Sequence, residues 1–156
     1  MSYDIRKEKW IKSIPDYDKK FVLDVGCGKC LYAHLFKNYV GIDKNPQCDK
    51  SITTIKDDFH SLPFSNDTFD MVLLFDVLEH TTLYGQVLQE AVRVVKPNGI
   101  IIGSTIWIMG NAVETDPEHR HCFTEELLRR VLNDFGIKAE IKRDQDILYF
   151  KGIVKK

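Results

Sequence analysis

The stretch Phe21-Val22-Leu23-Asp24-Val25-Gly26-Cys27-Gly28-Lys29-Cys30 decides how the rest of the chain is read. Its first five residues are apolar save Asp24, short as a run and rich in β-formers, so they predict a buried strand. Gly26 and Gly28 then permit a tight turn and leave bare backbone that a ligand can approach closely. A two-glycine turn also serves plain strand-to-helix connections, so taken alone it leaves both readings open. Residues 29–38 have helical character, and a helix starting there would offer free N–H groups at the turn.

Working outward, residues 4–13 set Ile5, Trp10 and Ile11 among charges and predict a short amphipathic helix before the first strand. Further strands are expected at Tyr39–Asp43, Ile52–Ile55, Asp70–Phe75 and Ile100–Ile106. Residues 44–51 contain Asn45-Pro46 and are poor helix material. Residues 82–95 predict a helix with Leu83, Val87, Leu88, Ala91, Val94 and Val95 on one face, ended by the turn Pro97-Asn98-Gly99. A last helix spans Phe123–Phe135, with Thr124 as N-cap and Gly136 as C′ residue. The tail, Ile137–Arg143 and Ile147–Val154, alternates like a terminal hairpin. Strands alternating with helices imply an α/β fold: an open, mainly parallel sheet, helices on both faces, with an antiparallel C-terminal hairpin. In such sheets ligands bind at the carboxyl ends of the strands.

With 156 residues the chain fits one domain, residues 1–19 forming an N-terminal helix or cap. Its 22 basic and 23 acidic side chains leave a net charge of −1, which gives no bulk attraction to phosphate backbones, although a local patch stays possible. Residues 1–10 lack the apolar core of a secretory signal, and Ile100–Met109 is too short for a membrane helix. A cytoplasmic, reducing setting is therefore expected, in which Cys27, Cys30, Cys48 and Cys122 do not form a disulfide framework.

Function is sought just beyond each strand. Asp43 closes the second strand 19 residues after Asp24, an interval suited to a carboxylate that accepts from two ribose hydroxyls, or to one that caps the next segment. The third strand leads to Asp57-Asp58-Phe59-His60-Ser61-Leu62-Pro63-Phe64, and the fourth ends in Phe75-Asp76-Val77-Leu78-Glu79-His80. The runs "VLDVGCG", "VGID", "DDFHSLPFSNDTFDMV", "DVLEH" and "EAVRVVKPNG" stand in an order and spacing that resemble the class I S-adenosylmethionine-dependent methyltransferases, in their broad small-molecule branch. The resemblance is detailed over residues 20–105, and each motif is modest, but five in register are specific.

The resemblance implies a Rossmann-like sheet of seven strands in the order 3-2-1-4-5-7-6, and S-adenosylmethionine as cofactor. Asp24, Gly26, Cys27 and Gly28 would hold its methionine portion, Asp43 the ribose hydroxyls, and Lys44 would lie beside the adenine. Asp58 would accept from the adenine amino group, Phe59 would lend its amide or ring face, and Phe75 would sit beneath the sulfonium. The methyl group would pass to a small-molecule acceptor by in-line displacement; a protein or RNA acceptor stays open, and oligomeric state is not readable. His80 is the candidate general base, against the alternative that Glu79-His80 only orders its loop. His119, Arg120 and His121 are candidates to contact the acceptor, His119 and His121 as further catalytic candidates, against a plain solvated loop. Trp107 and Met109 either line the pocket or finish the core.

The chain departs from the family pattern where a third glycine is common and Cys30 stands here, and it lacks the long insertion that often covers a substrate. Four other readings remain in play. Cys27-Gly-Lys-Cys30 is a C-x-x-C that could be a redox pair, or could join His119, His121 and Cys122 on zinc. A nicotinamide-dependent oxidoreductase would share the glycine turn and ribose acid but not the "LPF…FD…LEH" run. A non-catalytic S-adenosylmethionine-binding module that supports a partner methyltransferase would share everything but the reaction.

Overall fold

The computed structural model describes residues 3–107 and 118–156. Its strands are β1 (Phe21–Val25), β2 (Asn38–Asp43), β3 (Thr54–Lys56), β4 (Phe69–Phe75), β5 (Val95–Ile106), β6 (Ile137–Asp144) and β7 (Ile147–Val154). They form one sheet in the order β3-β2-β1-β4-β5-β7-β6. The first five are mutually parallel, while β7 runs antiparallel to both β5 and β6. This is the Rossmann-like arrangement that the motif resemblance implies. The helices are α1 (Tyr3–Lys12), α2 (Tyr84–Val94) and α3 (Glu125–Asp134).

Alternation along each strand divides the core between the two faces of the sheet. Leu23, Val72 and Leu74 face one side, where α2 lays down Val87, Leu88, Ala91 and Val94, and α3 lays down Leu128 and Leu132. Val22, Met71, Leu73, Phe75 and Ile102 face the other, where they meet Ile11 of α1, Ile14, Tyr32 and Leu35. Trp10 of α1 donates its indole N–H to the Phe150 carbonyl of β7 at 3.1 Å, which fixes the helix across the antiparallel part of the sheet. Thr124 caps α3 by accepting from Leu127 N, and Gly136 follows at φ +73 as the left-handed C′ residue.

The "LPF" loop is held by α2. Glu90 accepts from Leu62 N at 2.8 Å, and Arg93 donates to the carbonyls of Leu62 at 2.9 Å and Phe64 at 2.7 Å. Arg93 and Glu90 also pair with each other at 2.7 Å. The "E-A-V-R" and "L-P-F" motifs are therefore two halves of one clamp.

Three expectations change. Residues 29–38 carry only a single 3-10 turn at Ala33–Leu35 rather than a helix. Cys30 sits at φ +55, a left-handed conformation that stops an α-helix at its first turn. Consequently no helix N-terminus faces the glycine turn. Pro97-Asn98-Gly99 does not separate α2 from β5 but lies inside the strand, where pairing with β4 slips between Phe69↔Val95 and Met71↔Ile100 and Asn98 takes φ +60. Finally, Cys30 and Cys48 form a disulfide, with Cα atoms 5.4 Å apart, and Cys27 and Cys122 remain free. The C-x-x-C pair is thus not the bonded one. No described helix is long and apolar enough to cross a membrane.

Candidate functional site

The carboxyl ends of β1, β2 and β4 lie side by side, Asp24 being paired with Gly41 of β2 and Leu73 of β4. Beyond them opens a cleft of about 300 Å³, lined by Lys7, Asp24, Gly26, Cys27, Gly28, Lys29, Leu31, Tyr32, Phe75 and Asp76. Five of these (Asp24, Gly26, Cys27, Gly28, Phe75) are residues the sequence assigns to the cofactor. Gly26 and Gly28 both have positive φ, +69 and +49, and a Cβ added at Gly28 would meet nothing within 4 Å. The Gly28 backbone therefore faces open space, as a ligand-bearing turn requires.

Asp24 is 3% exposed and accepts the Tyr39 hydroxyl at 2.6 Å. Burial pushes its carboxyl up to about 7, against the downward pull of the Tyr39 hydrogen bond and the Lys7 charge. Cys27 is likewise pushed up, to about 12, by burial and by the neighbouring Asp24 and Asp43 carboxylates. It is a packing thiol rather than a nucleophile.

Asp43 stands one strand further out. Its oxygens accept from Gly28 N at 3.0 Å and from Asn45 N at 2.8 Å, tying the glycine turn to the end of β2. Lys44, Asp58 and Phe59 gather beyond it: Lys44 Nζ lies 3.6 Å from Asp58 and 5.6 Å from the centre of the Phe59 ring. Asp58 is held below the usual carboxylate range, first by the His60 backbone N–H and also by the His60 ring. His60 in turn reaches the Thr81 hydroxyl at 2.7 Å, so the loops after β3 and β4 are joined side chain to side chain.

At the other end of the cleft, Phe75 packs its ring 5.1 Å from that of Tyr32. The next residue, Asp76, turns at φ +56 and accepts from Ser104 Oγ at 2.6 Å and from the ammonium of Lys7. Glu79 is buried at 1% exposure, accepts from Thr105 Oγ1 at 3.0 Å, and burial pushes its carboxyl up to about 8. The Glu79 carbonyl accepts the backbone N–H of Arg120 at 2.6 Å, which docks the returning loop onto the 3-10 turn Leu78–His80. His119 is thereby brought against His80, ring centres 4.8 Å apart. His121 turns elsewhere, edge-on to Tyr84 at 5.0 Å. Of the three candidate histidines, two share a site and the third does not.

Glu79, His80 and His119 hold their ligand atoms within 4.8 Å of one another, and so, separately, do Cys27, Cys30 and Cys48. His119 therefore clusters with Glu79 and His80 rather than with the cysteines of the proposed mixed zinc site. Trp107 stacks beneath the Arg143 guanidinium, 4.2 Å from the ring centre, and bridges to Phe123, which gives it a structural place at the end of β5. Met109 and residues 114–117, which lead into the His119–His121 segment, lie outside the described residues.

Lys7, Asp76, Tyr39 and His60 are not among the residues picked out from sequence. Lys7 carried a signal: it lies four positions before Ile11, on the helix face that packs down, where a lysine needs a partner. The other three carried none, because their neighbours come from different strands.

A family model described as a methyltransferase domain matches residues 23–103, more than half of the chain. A sterol 24-C-methyltransferase of Yarrowia lipolytica is 30% identical over 79% of this chain and 40% of that protein. One of Aspergillus fumigatus is 30% identical over 84% of this chain and 38% of its own length. The chain thus spans about two fifths of these curated relatives. Among solved structures, an S-adenosylmethionine-dependent methyltransferase from Archaeoglobus fulgidus superposes with a TM-score of 0.80 at 18% identity, covering 97% of this chain and 94% of that one. The methyltransferase complex of Haloferax volcanii with its Trm112 activator gives a TM-score of 0.82 at 15% identity, covering 96% and 88%. With the strand order, the glycine turn and a family match running from β1 into β5, the chain belongs to the methyltransferase domain family.

Proposed function

We propose that the chain binds S-adenosylmethionine in the cleft above β1, β2 and β4 and transfers its methyl group to a small molecule. The observation that carries this reading is the join between Gly28 N and Asp43, 3.0 Å, which ties to the glycine turn the carboxylate we assign to the ribose. The residues present fit the ligand. Bare backbone at Gly28 admits close approach, carboxylates at Asp24 and Asp76 suit an ammonium, and Phe75 offers an aromatic wall for the sulfonium side. Lys44, Asp58 and Phe59 extend the same line toward an adenine.

The bound sulfonium supplies a methyl carbon already activated for displacement. What remains for the protein is alignment of the acceptor, exclusion of water and the handling of one proton. His80, exposed and with its ring 4.8 Å from that of His119, is the residue we assign to take that proton. The backbone carbonyl of Glu79 anchors the docked 119–121 segment behind them by accepting from Arg120 N.

A small-molecule acceptor is supported by the relatives named as sterol methyltransferases. It is supported also by a structural neighbour from Burkholderia thailandensis described with 1,6-didemethyltoxoflavin and S-adenosylhomocysteine bound. The test is isothermal titration with S-adenosylmethionine and S-adenosylhomocysteine, followed by a screen of a metabolite pool for uptake of labelled methyl. No binding of either nucleoside would reject the proposal. Tight binding without methyl uptake would turn it toward a non-catalytic module.

A further inference from the structure

The three sulfurs of Cys27, Cys30 and Cys48 meet beside the glycine turn, and their arrangement is built rather than incidental. Cys30 occupies φ +55 although it is not glycine, a left-handed conformation that ordinary side chains rarely adopt. From this position its side chain is bonded to Cys48, eighteen residues on. Gly41 of β2 makes the room: a Cβ there would lie 2.7 Å from Cys27 Sγ and 3.3 Å from Cys30 Sγ. The partner segment is tied to the turn at the same place. Gln47 N donates to the Gly28 carbonyl at 2.8 Å, and Cys48 Sγ lies 3.4 Å from the same oxygen. Residues 44–53 form no helix or strand, so the disulfide is the covalent hold on a segment that runs directly from Asp43.

We propose that the Cys30–Cys48 disulfide is a reversible tether, opened by dithiol reductants, that sets the order of the glycine turn and with it the affinity for the adenosyl ligand. The second half of this inference rests on the cofactor reading of the cleft. A reductant thiolate attacks Cys48 Sγ, which is half-buried, rather than Cys30, which is 5% exposed. The S–S bond breaks, Cys30 leaves as thiolate and takes up a proton, and the reductant's second thiol then displaces Cys48 from the mixed disulfide. Two electrons and two protons pass to the protein, and the dithiol becomes a disulfide. A disulfide oxidant such as oxidised glutathione reverses the sequence. Cys27 is 7% exposed and so closed to the reductant, and burial with two nearby carboxylates raises its thiol pKa.

The experiment measures S-adenosylhomocysteine affinity and amide hydrogen exchange on the full chain, oxidised and after dithiothreitol, for wild type, Cys48→Ser and Cys30→Gly. Cys30→Gly removes the tether while giving the backbone the residue that φ +55 favours, so it guards against a folding defect. The expected result is alkylation of Cys27 and Cys122 alone in the denatured, unreduced protein. Reduction is expected to weaken affinity about tenfold and to speed exchange at residues 26–30 and 43–48. Both variants should match the reduced wild type regardless of redox state. Equal affinity and equal exchange in the two states would overturn the inference. So would labelling of all four thiols in air-exposed protein, or stoichiometric zinc with all four thiols reduced, which would make the cluster a metal site. Redox-dependent exchange with no nucleoside affinity in either state would support the tether and reject the cofactor reading.

Discussion

Lys7 reaches from α1 to the carboxylate of Asp76, the residue immediately after β4, across 69 positions of sequence. Its side chain is 5% exposed and that of Asp76 30%, so the ammonium is nearly desolvated while the carboxylate keeps some water. Such a lysine is costly without its partner. Lys7→Met keeps the stem and removes the charge, leaving Asp76 with Ser104. We expect a loss of about 1–3 kcal/mol in unfolding free energy, less than for a fully buried pair because Asp76 is partly hydrated. A double-mutant cycle with Asp76→Asn in chemical denaturation should return a coupling of the same sign, and additivity would show that the pair contributes nothing.

Asp43→Ala should weaken S-adenosylhomocysteine binding by about 1–3 kcal/mol, the scale of hydrogen bonds to a charged group. It also removes the acceptor for Gly28 N, so Asp43→Asn is the informative companion: it keeps an oxygen for the turn. Affinity retained in calorimetry for both variants would reject the ribose assignment.

Burial raises Asp24 to about 7 and Glu79 to about 8, far above the values the unfolded chain gives these groups. Between pH 4 and those values the unfolded carboxyl has lost its proton while the folded one keeps it. Each group therefore adds stability that is complete below pH 4 and declines as pH rises, by up to about 1.4 kcal/mol per pH unit. Asp58, Asp70 and Glu90 are lowered in the fold, so their contribution is lost only as pH falls below about 4. Thermal unfolding midpoints should fall from pH 5 to pH 8, and Glu79→Gln should flatten the slope. A midpoint that rises over that range would contradict the burial argument.

A ligand ammonium beside Asp24 would favour its charged form and draw its pKa down. Binding of S-adenosylhomocysteine near pH 6.5 should therefore release a proton, visible as a dependence of the observed heat on buffer ionisation enthalpy. Asp24→Asn should abolish that dependence.

His80→Ala should lower turnover roughly 10²-fold or more while leaving nucleoside affinity nearly unchanged, as expected for removal of a general base. His121→Ala, whose ring lies against Tyr84, should affect turnover far less. Equal losses in turnover and nucleoside affinity for His80→Ala would mark it as a structural residue.

The sheet was legible because β1, β4 and the Ile100–Ile106 part of β5 read as short runs rich in apolar residues, and Phe21–Val25 is the predicted strand to the residue. Helix α2 announced itself through the spacing of Val87, Leu88, Ala91 and Val94. The segment after Cys30 was not legible as a turn, because its composition suits a helix and the left-handed residue that breaks it is a cysteine rather than a glycine. For the site, Asp24, Gly26, Gly28 and Phe75 were singled out by the family resemblance, and the structure brings them together at the lining of one cleft. The pairing of Cys30 with Cys48 was hidden because it depends on how β2 returns the chain to the turn. The same holds for Tyr39 with Asp24 and His60 with Thr81: their partners meet only once the strands are registered.

The strand order also decides what the rims of the sheet present to other molecules. One rim is β3, only three residues long. The other is β6, whose exposed Lys138, Glu140 and Lys142 alternate with the more buried Ile137, Ala139 and Ile141. A foreign strand seeking the open amides of β6 would have to lie beside this comb of charge, and β3 is too brief to template one. A protein whose central strands are nearly all aliphatic is in this way guarded against polymerising through its own edges.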